Sequence, residues 1–144
     1  MVTKSEPRTR ACYRHFTTIS TRWGDNDLYG HVNNTIYYAW FDSAVNAWLV
    51  GQGLLDIGNG DPIGLVVETG CRFFAPLSFP GEVEVGMLVE RIGTSSVTYY
   101  LGVFAPGADA PAAEGHFTHV YVARDSRRPV PLSSDWRAGL ETLR

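Results

Sequence analysis

Arg22-Trp23-Gly24-Asp25-Asn26-Asp27-Leu28-Tyr29-Gly30-His31-Val32-Asn33-Asn34, running into an apolar stretch from Thr35 to Gly51, decides the fold of this 144-residue chain. Two carboxylates, a histidine and asparagines crowd a turn bounded by Gly24 and Gly30, and the only long helical pattern follows at once. Asn33 or Asn34 is the expected N-cap, because a short side-chain acceptor satisfies an amide that has no partner inside the helix. From Thr35 to Leu55 the sole charge is Asp42, and Thr35, Asp42 and Asn46 form one narrow polar stripe. Ile36, Tyr37, Trp40, Phe41, Ala44, Val45, Ala47, Trp48 and Leu49 cover most of the remaining surface, so the helix is expected to be buried nearly all round, by one wrapping sheet or a partner chain.

Outward from that helix the periodicity changes to two. Tyr13 to Trp23 reads as a strand, rich in β-formers and stopped at Gly24. Four more strand-like segments follow a Gly-rich loop (51–64): Leu65 to Leu77, Glu82 to Ile92, Val97 to Phe104, and Glu114 to Ala123. Short connections predict that consecutive strands pair as an antiparallel meander. Ser134 to Leu143 carries Trp136, Leu140 and Leu143 at helical spacing. The order β-α-β-β-β-β-α predicts an α+β fold in which a five-stranded antiparallel sheet curls around one long helix, with a short C-terminal helix. Residues 1–11 are expected to be a disordered tail, and 12–144 a single domain. The sheet's outer face and an open edge invite a second copy of the chain.

Composition narrows the function. A net charge of −3 and a pI near 5.7 argue against a nucleic-acid partner. The polar start gives no sign of a signal peptide and no run reaches a membrane span, so the cytoplasm is the expected location. Cys12 and Cys71 lack CxxC spacing and read as reduced thiols. His116 and His119, three apart in a strand, face opposite sides and cannot chelate together; they are expected at the sheet surface or an interface. Neither a metal nor an organic cofactor is expected. Gly58-Asn59-Gly60 has neither the strand nor the helix of a nucleotide loop, and no Gly-x-Ser-x-Gly elbow exists.

Asp27 is the leading candidate for chemistry. A carboxylate just upstream of a helix start can direct water or attack an acyl carbon, while the first helical N–H groups can hold a developing oxyanion. Asp27 is also suited to bonding local amides in a turn. Asp25 is its nearest rival and a candidate cap for the turn. Asp42 is a second rival, suited instead to an i,i+4 contact with Asn46 or to a subunit contact. His31 either orients substrate or donates to a carbonyl. Arg124, Arg127 and Arg128 form either a phosphate site or a solvated turn.

Trp23 to Tyr37 resembles the signature of hotdog-fold acyl-CoA thioesterases of the 4-hydroxybenzoyl-CoA thioesterase type. Phe74-Ala75-Pro76-Leu77, Gly81 to Val85, Val89 to Ser96 and Arg128 to Leu132 are similar to the same family, so the likeness spans roughly residues 13 to 143. The resemblance implies the hotdog fold, assembly as a homodimer or homotetramer, and an acyl-CoA substrate. It carries the catalytic carboxylate onto Asp27 and the oxyanion-binding backbone N–H onto Asn34. It further implies substrate contacts from Tyr29, Gly30, His31 and Asn33 at the acyl end. The turn Gly93, Thr94, Ser95 and Ser96 would lie by the pantetheine arm, which in related enzymes runs along a subunit interface. Two other readings of the same fold stand beside hydrolysis: a hydratase or dehydratase using His31, and an acyl-thioester-binding subunit without turnover.

Overall fold

The computed structural model describes residues 6–144. Five strands, β1 (His15–Ser20), β2 (Ile63–Phe73), β3 (Glu82–Ile92), β4 (Ser96–Phe104) and β5 (Ala113–Val122), form one sheet. Every neighbouring pair is antiparallel, and the order across the sheet is β1-β3-β4-β5-β2. Helices α1 (Asn34–Gly51) and α2 (Ser134–Glu141) complete the expected β-α-β-β-β-β-α sequence. This is the hotdog architecture anticipated above.

The meander holds for β3, β4 and β5 but not for β2, which pairs with β5 at the far side of the sheet. The connection between β2 and β3 explains the difference. It contains Pro76 and Pro80, which lack a backbone donor; its Leu77, Ser78 and Phe79 bond to the 26–32 loop, and Phe74 and Ala75 donate to the Ala112 carbonyl, so no hairpin closes. The sheet therefore has two free edges, β1 and β2.

Strand alternation sends Val83, Val85, Met87 and Val89 of β3 and Val97, Tyr99, Leu101 and Val103 of β4 to the helix side, all buried. Against them α1 lays Tyr37, Trp40, Phe41, Ala44, Val45, Trp48 and Leu49, and α2 adds Trp136 and Leu140. Burial of α1 is not all round. Asn34, Thr35, Ala39, Asp42, Ser43, Ala47 and Val50 face outward, because one sheet covers one side of a rod. Asn46 Nδ2 donates to Asp42 Oδ1 at 3.0 Å and to its carbonyl at 2.9 Å, the i,i+4 contact anticipated for that stripe.

Of the tail expected over residues 1–11, residues 1–5 lie outside the described residues. Arg8 and Arg10 are held on the sheet's outer face. The Arg8 N–H donates to Glu114, the Arg8 guanidinium stacks 3.8 Å from the Tyr100 ring centre, and Arg10 Nη2 meets Glu84 Oε1 at 2.8 Å. Acidic and aromatic side chains on that face give the basic segment its partners.

Candidate active site

A clasp joins β1 to α1. Asp25 is fully buried and accepts from the Arg22 N–H at 2.8 Å and from Arg22 Nε at 3.1 Å, so it caps a 3-10 turn and is spent structurally. Its carbonyl receives the Asn33 N–H at 2.9 Å, which draws the two ends of the clasp together. The Asn26 side chain bonds the Phe79 backbone through both of its polar atoms, and the Val32 N–H donates to the Leu77 carbonyl at 2.8 Å. Between these anchors the chain turns at Asp27-Leu28-Tyr29-Gly30. The Asp27 N–H donates to His31 O and the Gly30 N–H to Asp27 O, each at 3.0 Å. Gly30 has φ +83°, a conformation that a side chain would strain.

Asp27 is half-buried. Its Oδ1 accepts the Tyr29 N–H at 2.9 Å, and its Oδ2 lies 3.5 Å from Asn33 Nδ2. Asn33 is the N-cap of α1, its Oδ1 accepting from the Thr35 N–H at 3.0 Å and the Thr35 hydroxyl at 2.7 Å. Asn34 is the first helical residue, and among the described residues its N–H donates no hydrogen bond. A carboxylate, a side-chain amide and an unpaired helix-start N–H are thus contiguous.

Two clefts flank the clasp. One, about 310 Å³, is lined by Val32, Asn34, Tyr37 and the Phe73–Pro76 segment. The other, about 300 Å³, is lined by Trp23, Asn26, Asp27, Phe79 and Pro80. Leu28 and Tyr29 stand fully or nearly fully exposed at the tip, and His31 is exposed beside them.

Gly93 to Ser96 are not brought to this place. The clasp is tied to the Glu82 end of β3, where the Thr21 N–H meets Gly81 O, whereas the turn sits beyond Ile92. The eleven residues of β3 put roughly 35 Å between the two. The turn is fixed instead by the C-terminal segment: the Leu132 N–H donates to Thr94 O at 2.9 Å and Arg137 Nη2 to Gly93 O at 2.6 Å.

Arg124 donates from Nε to the Gly60 carbonyl and from Nη2 to the carbonyls of Ile57 and Asp56, so it serves to stitch down the 51–64 loop. His119, expected at a surface, is buried with Tyr99 and Tyr121; the two tyrosine hydroxyls bond at 2.7 Å, and His119 Nδ1 lies 3.1 Å from that of Tyr121. Its i,i+2 neighbours Phe117 and Tyr121 carried that signal in the sequence. His116 is on the opposite face, 3.0 Å from Glu68 Oε1. Burial pushes the Cys71 thiol up to about 12, which keeps it protonated and unreactive. Among the described residues no group of His, Cys, Asp and Glu could hold a metal ion, and no helix is long and apolar enough to cross a membrane.

Tyr37, Phe73 and Phe74 were not singled out for the site by sequence reasoning. The available signal for Tyr37 was its position three residues after Asn34, which puts both on one helix face.

The chain is similar to known proteins over most of its length. The family model of the thioesterase-like superfamily matches residues 21–140. The PA5185 protein of Pseudomonas aeruginosa strain PAO1 is 50% identical, with 96% of this chain and 97% of that one covered at a TM-score of 0.93. The PA2801 protein of Pseudomonas aeruginosa is 31% identical over 88% of this chain and 97% of its own, with a TM-score of 0.80. Slr0204, a 1,4-dihydroxy-2-naphthoyl-CoA thioesterase from Synechocystis, shares the fold at 20% identity, covering 87% and 93% of the two chains with a TM-score of 0.77.

Proposed function

We propose, from the premise that this chain belongs to the thioesterase-like superfamily and is a thioester hydrolase, that it hydrolyses an acyl-CoA with Asp27 and the Asn34 N–H as the reacting pair. The observation that carries this reading is the contiguity of the Asp27 carboxylate, the Asn33 amide and the unpaired Asn34 N–H.

The thioester carbonyl oxygen accepts the Asn34 N–H at the positive end of the α1 dipole. Asp27 then takes a proton from water as the water oxygen bonds to the carbonyl carbon, or its own oxygen bonds there to give a mixed anhydride that water opens. In either route the C–S bond breaks, the sulfur leaves with the bonding pair and takes a proton, and the products are the free acid and the thiol. The oxyanion formed on the way is held by the Asn34 N–H; one such donor typically contributes about 3–4 kcal/mol. Labelled solvent oxygen found in Asp27 after a single turnover marks the anhydride route, opened by water at the aspartyl carbon.

Self-association as a homodimer or homotetramer belongs to the same reading. β2 is an edge strand with Val66 and Val67 exposed, 47% and 59%. Antiparallel pairing of two β2 edges would bring the Gly93–Ser96 turn of a second copy to the clasp end of this one, where Tyr29, Gly30, His31 and Asn33 meet the acyl group. The proposal sets the reaction in the cytoplasm.

Thiol release from a panel of acyl-CoAs, compared between the natural chain and Asp27→Asn, tests the proposal. The expected loss in kcat/KM is on the order of 10²–10⁴. An Asp27→Asn chain as active as the natural one removes Asp27 from the chemistry. Enoyl-CoA turnover abolished by His31→Ala and untouched by Asp27→Asn would establish the hydratase reading instead.

A further inference from the structure

Tyr37 places a spare hydroxyl in the wall of the helix-start cleft. It lies one turn beyond Asn34 on α1 and lines the same cleft. Its ring is locked edge-on against Phe73, with centroids 4.9 Å apart at 87°, and against Trp40 at 5.0 Å. Only 3% of the residue is exposed, yet its hydroxyl makes no hydrogen bond within the described residues. Tyr99 and Tyr121, equally buried, satisfy each other. Burial pushes Tyr37 up to about 12, so at any working pH its hydroxyl is a neutral group able to donate one hydrogen bond and accept another.

Asn34 apart, the other side chains of this cleft (Val32, Phe73, Phe74, Ala75 and Pro76) are hydrocarbon. The Tyr37 oxygen is not among the fully buried unpartnered atoms, so it keeps accessible surface, and a single such group in an otherwise hydrocarbon cleft is selective for a ligand that supplies the partner. Side chains three apart on a helix sit about 5–6 Å apart at Cβ. A carbonyl held at the Asn34 N–H therefore puts the first few atoms of the acyl group beside Tyr37.

We infer that Tyr37 is a specificity residue whose hydroxyl bonds an oxygen substituent, a hydroxyl or keto oxygen, carried by the acyl group close to the thioester. The chain thus favours oxygenated acyl groups over plain hydrocarbon ones of the same size. This rests on the acyl-thioester reading above.

The test is a matrix of kcat/KM values from thiol release: hexanoyl-CoA against 3-hydroxyhexanoyl-CoA, and benzoyl-CoA against its three monohydroxy forms, for the natural chain and Tyr37→Phe. The natural chain is expected to favour at least one oxygenated substrate over its parent by about tenfold. Tyr37→Phe is expected to erase that preference, bringing the oxygenated substrate and its parent within about twofold of each other. Turnover of the panel with equal loss on both members of each pair, or no loss on either, overturns the role of Tyr37 and leaves the hydrolase reading standing. Failure of the natural chain to release thiol from any member overturns the hydrolase reading, and the inference with it.

Discussion

Asn33 binds Asp27 to the start of α1: its Nδ2 reaches Asp27 Oδ2 across 3.5 Å while its Oδ1 caps the Thr35 N–H at 3.0 Å. One amide therefore performs two tasks, ending the clasp and aiming the carboxylate. Local hydrogen bonds alone produce this, since the second oxygen of Asp27 is taken by the Tyr29 N–H only two residues on.

Separating those tasks gives a first prediction. Asn33→Ala removes the cap and the amide together, and costs about 1 kcal/mol of stability and roughly tenfold in kcat/KM. Asn33→Asp keeps a capping oxygen but sets a second carboxylate beside Asp27, so it holds its stability while activity falls. Thermal unfolding and thiol release on the two variants check this. Full activity in Asn33→Ala would show that Asp27 needs no help from the cap.

A second prediction concerns the outer face of the sheet. Tyr13 is 6% exposed, its ring lying over Gly86 and Gly102 and edge-on to Phe104, and its hydroxyl has no hydrogen-bond partner among the described residues. Burial raises its ionisation well above the ordinary tyrosine range. Tyr13→Phe removes an unpaired polar atom and keeps the ring, so it stabilises the chain by about 1 kcal/mol. Chemical denaturation reads this directly; a loss of stability would reveal a partner for that hydroxyl.

The order of elements and the helix–sheet pairing were legible in the sequence because alternation in β3 and β4 and the apolar run of α1 are local patterns. The Asp27 to Asn34 stretch was legible for the same reason. What stayed hidden was decided by distant groups. Nothing within β2 indicates that it pairs with β5, since the choice rests on the Phe74–Gly81 connection bonding to the clasp. Arg8 and Arg10 look like a solvated tail until Glu84, Tyr100 and Glu114 are brought beneath them. The separation of Gly93–Ser96 from the clasp likewise follows from the length of β3, not from any residue in the turn.

His119 makes stability depend on pH. Burial lowers it from an ordinary 6.5 to about 4, so the folded chain keeps a neutral ring where the unfolded chain takes up a proton. Its contribution is fully present above pH 6.5 and is lost as pH falls from 6.5 through 4, to a limit of about 3 kcal/mol. His119→Gln retains a polar partner for Tyr121 but does not titrate. Between pH 7 and pH 4 the natural chain should lose about 2–3 kcal/mol more than this variant in urea unfolding. Parallel losses would mean that the ring is protonated in the folded state.

Gly115 tests how closely α1 rides on the sheet. It pairs with Cys71 across β5 and β2 and with Leu101 across β4, directly beneath the fully buried Phe41. A Cβ added there would overlap the Gly70 carbonyl oxygen and come within 2.8 Å of Phe41 Cε2. Replacing glycine by alanine ordinarily gains about 0.4–1 kcal/mol by restricting the unfolded chain. Here the overlap is with backbone on one side and a packed aromatic ring on the other, and overpacking of that kind costs about 1–3 kcal/mol. The clash wins, and Gly115→Ala should destabilise the chain by about 1 kcal/mol. Phe41 lies four residues beyond Tyr37, on the same face of α1, so a helix pushed off the sheet at Phe41 also moves the cleft wall. Loss of kcat/KM should therefore accompany the loss of stability, even though Gly115 touches neither Asp27 nor Asn34. An alanine variant as stable as the natural chain would mean that α1 stands further from β5 than the packing of Phe41 requires.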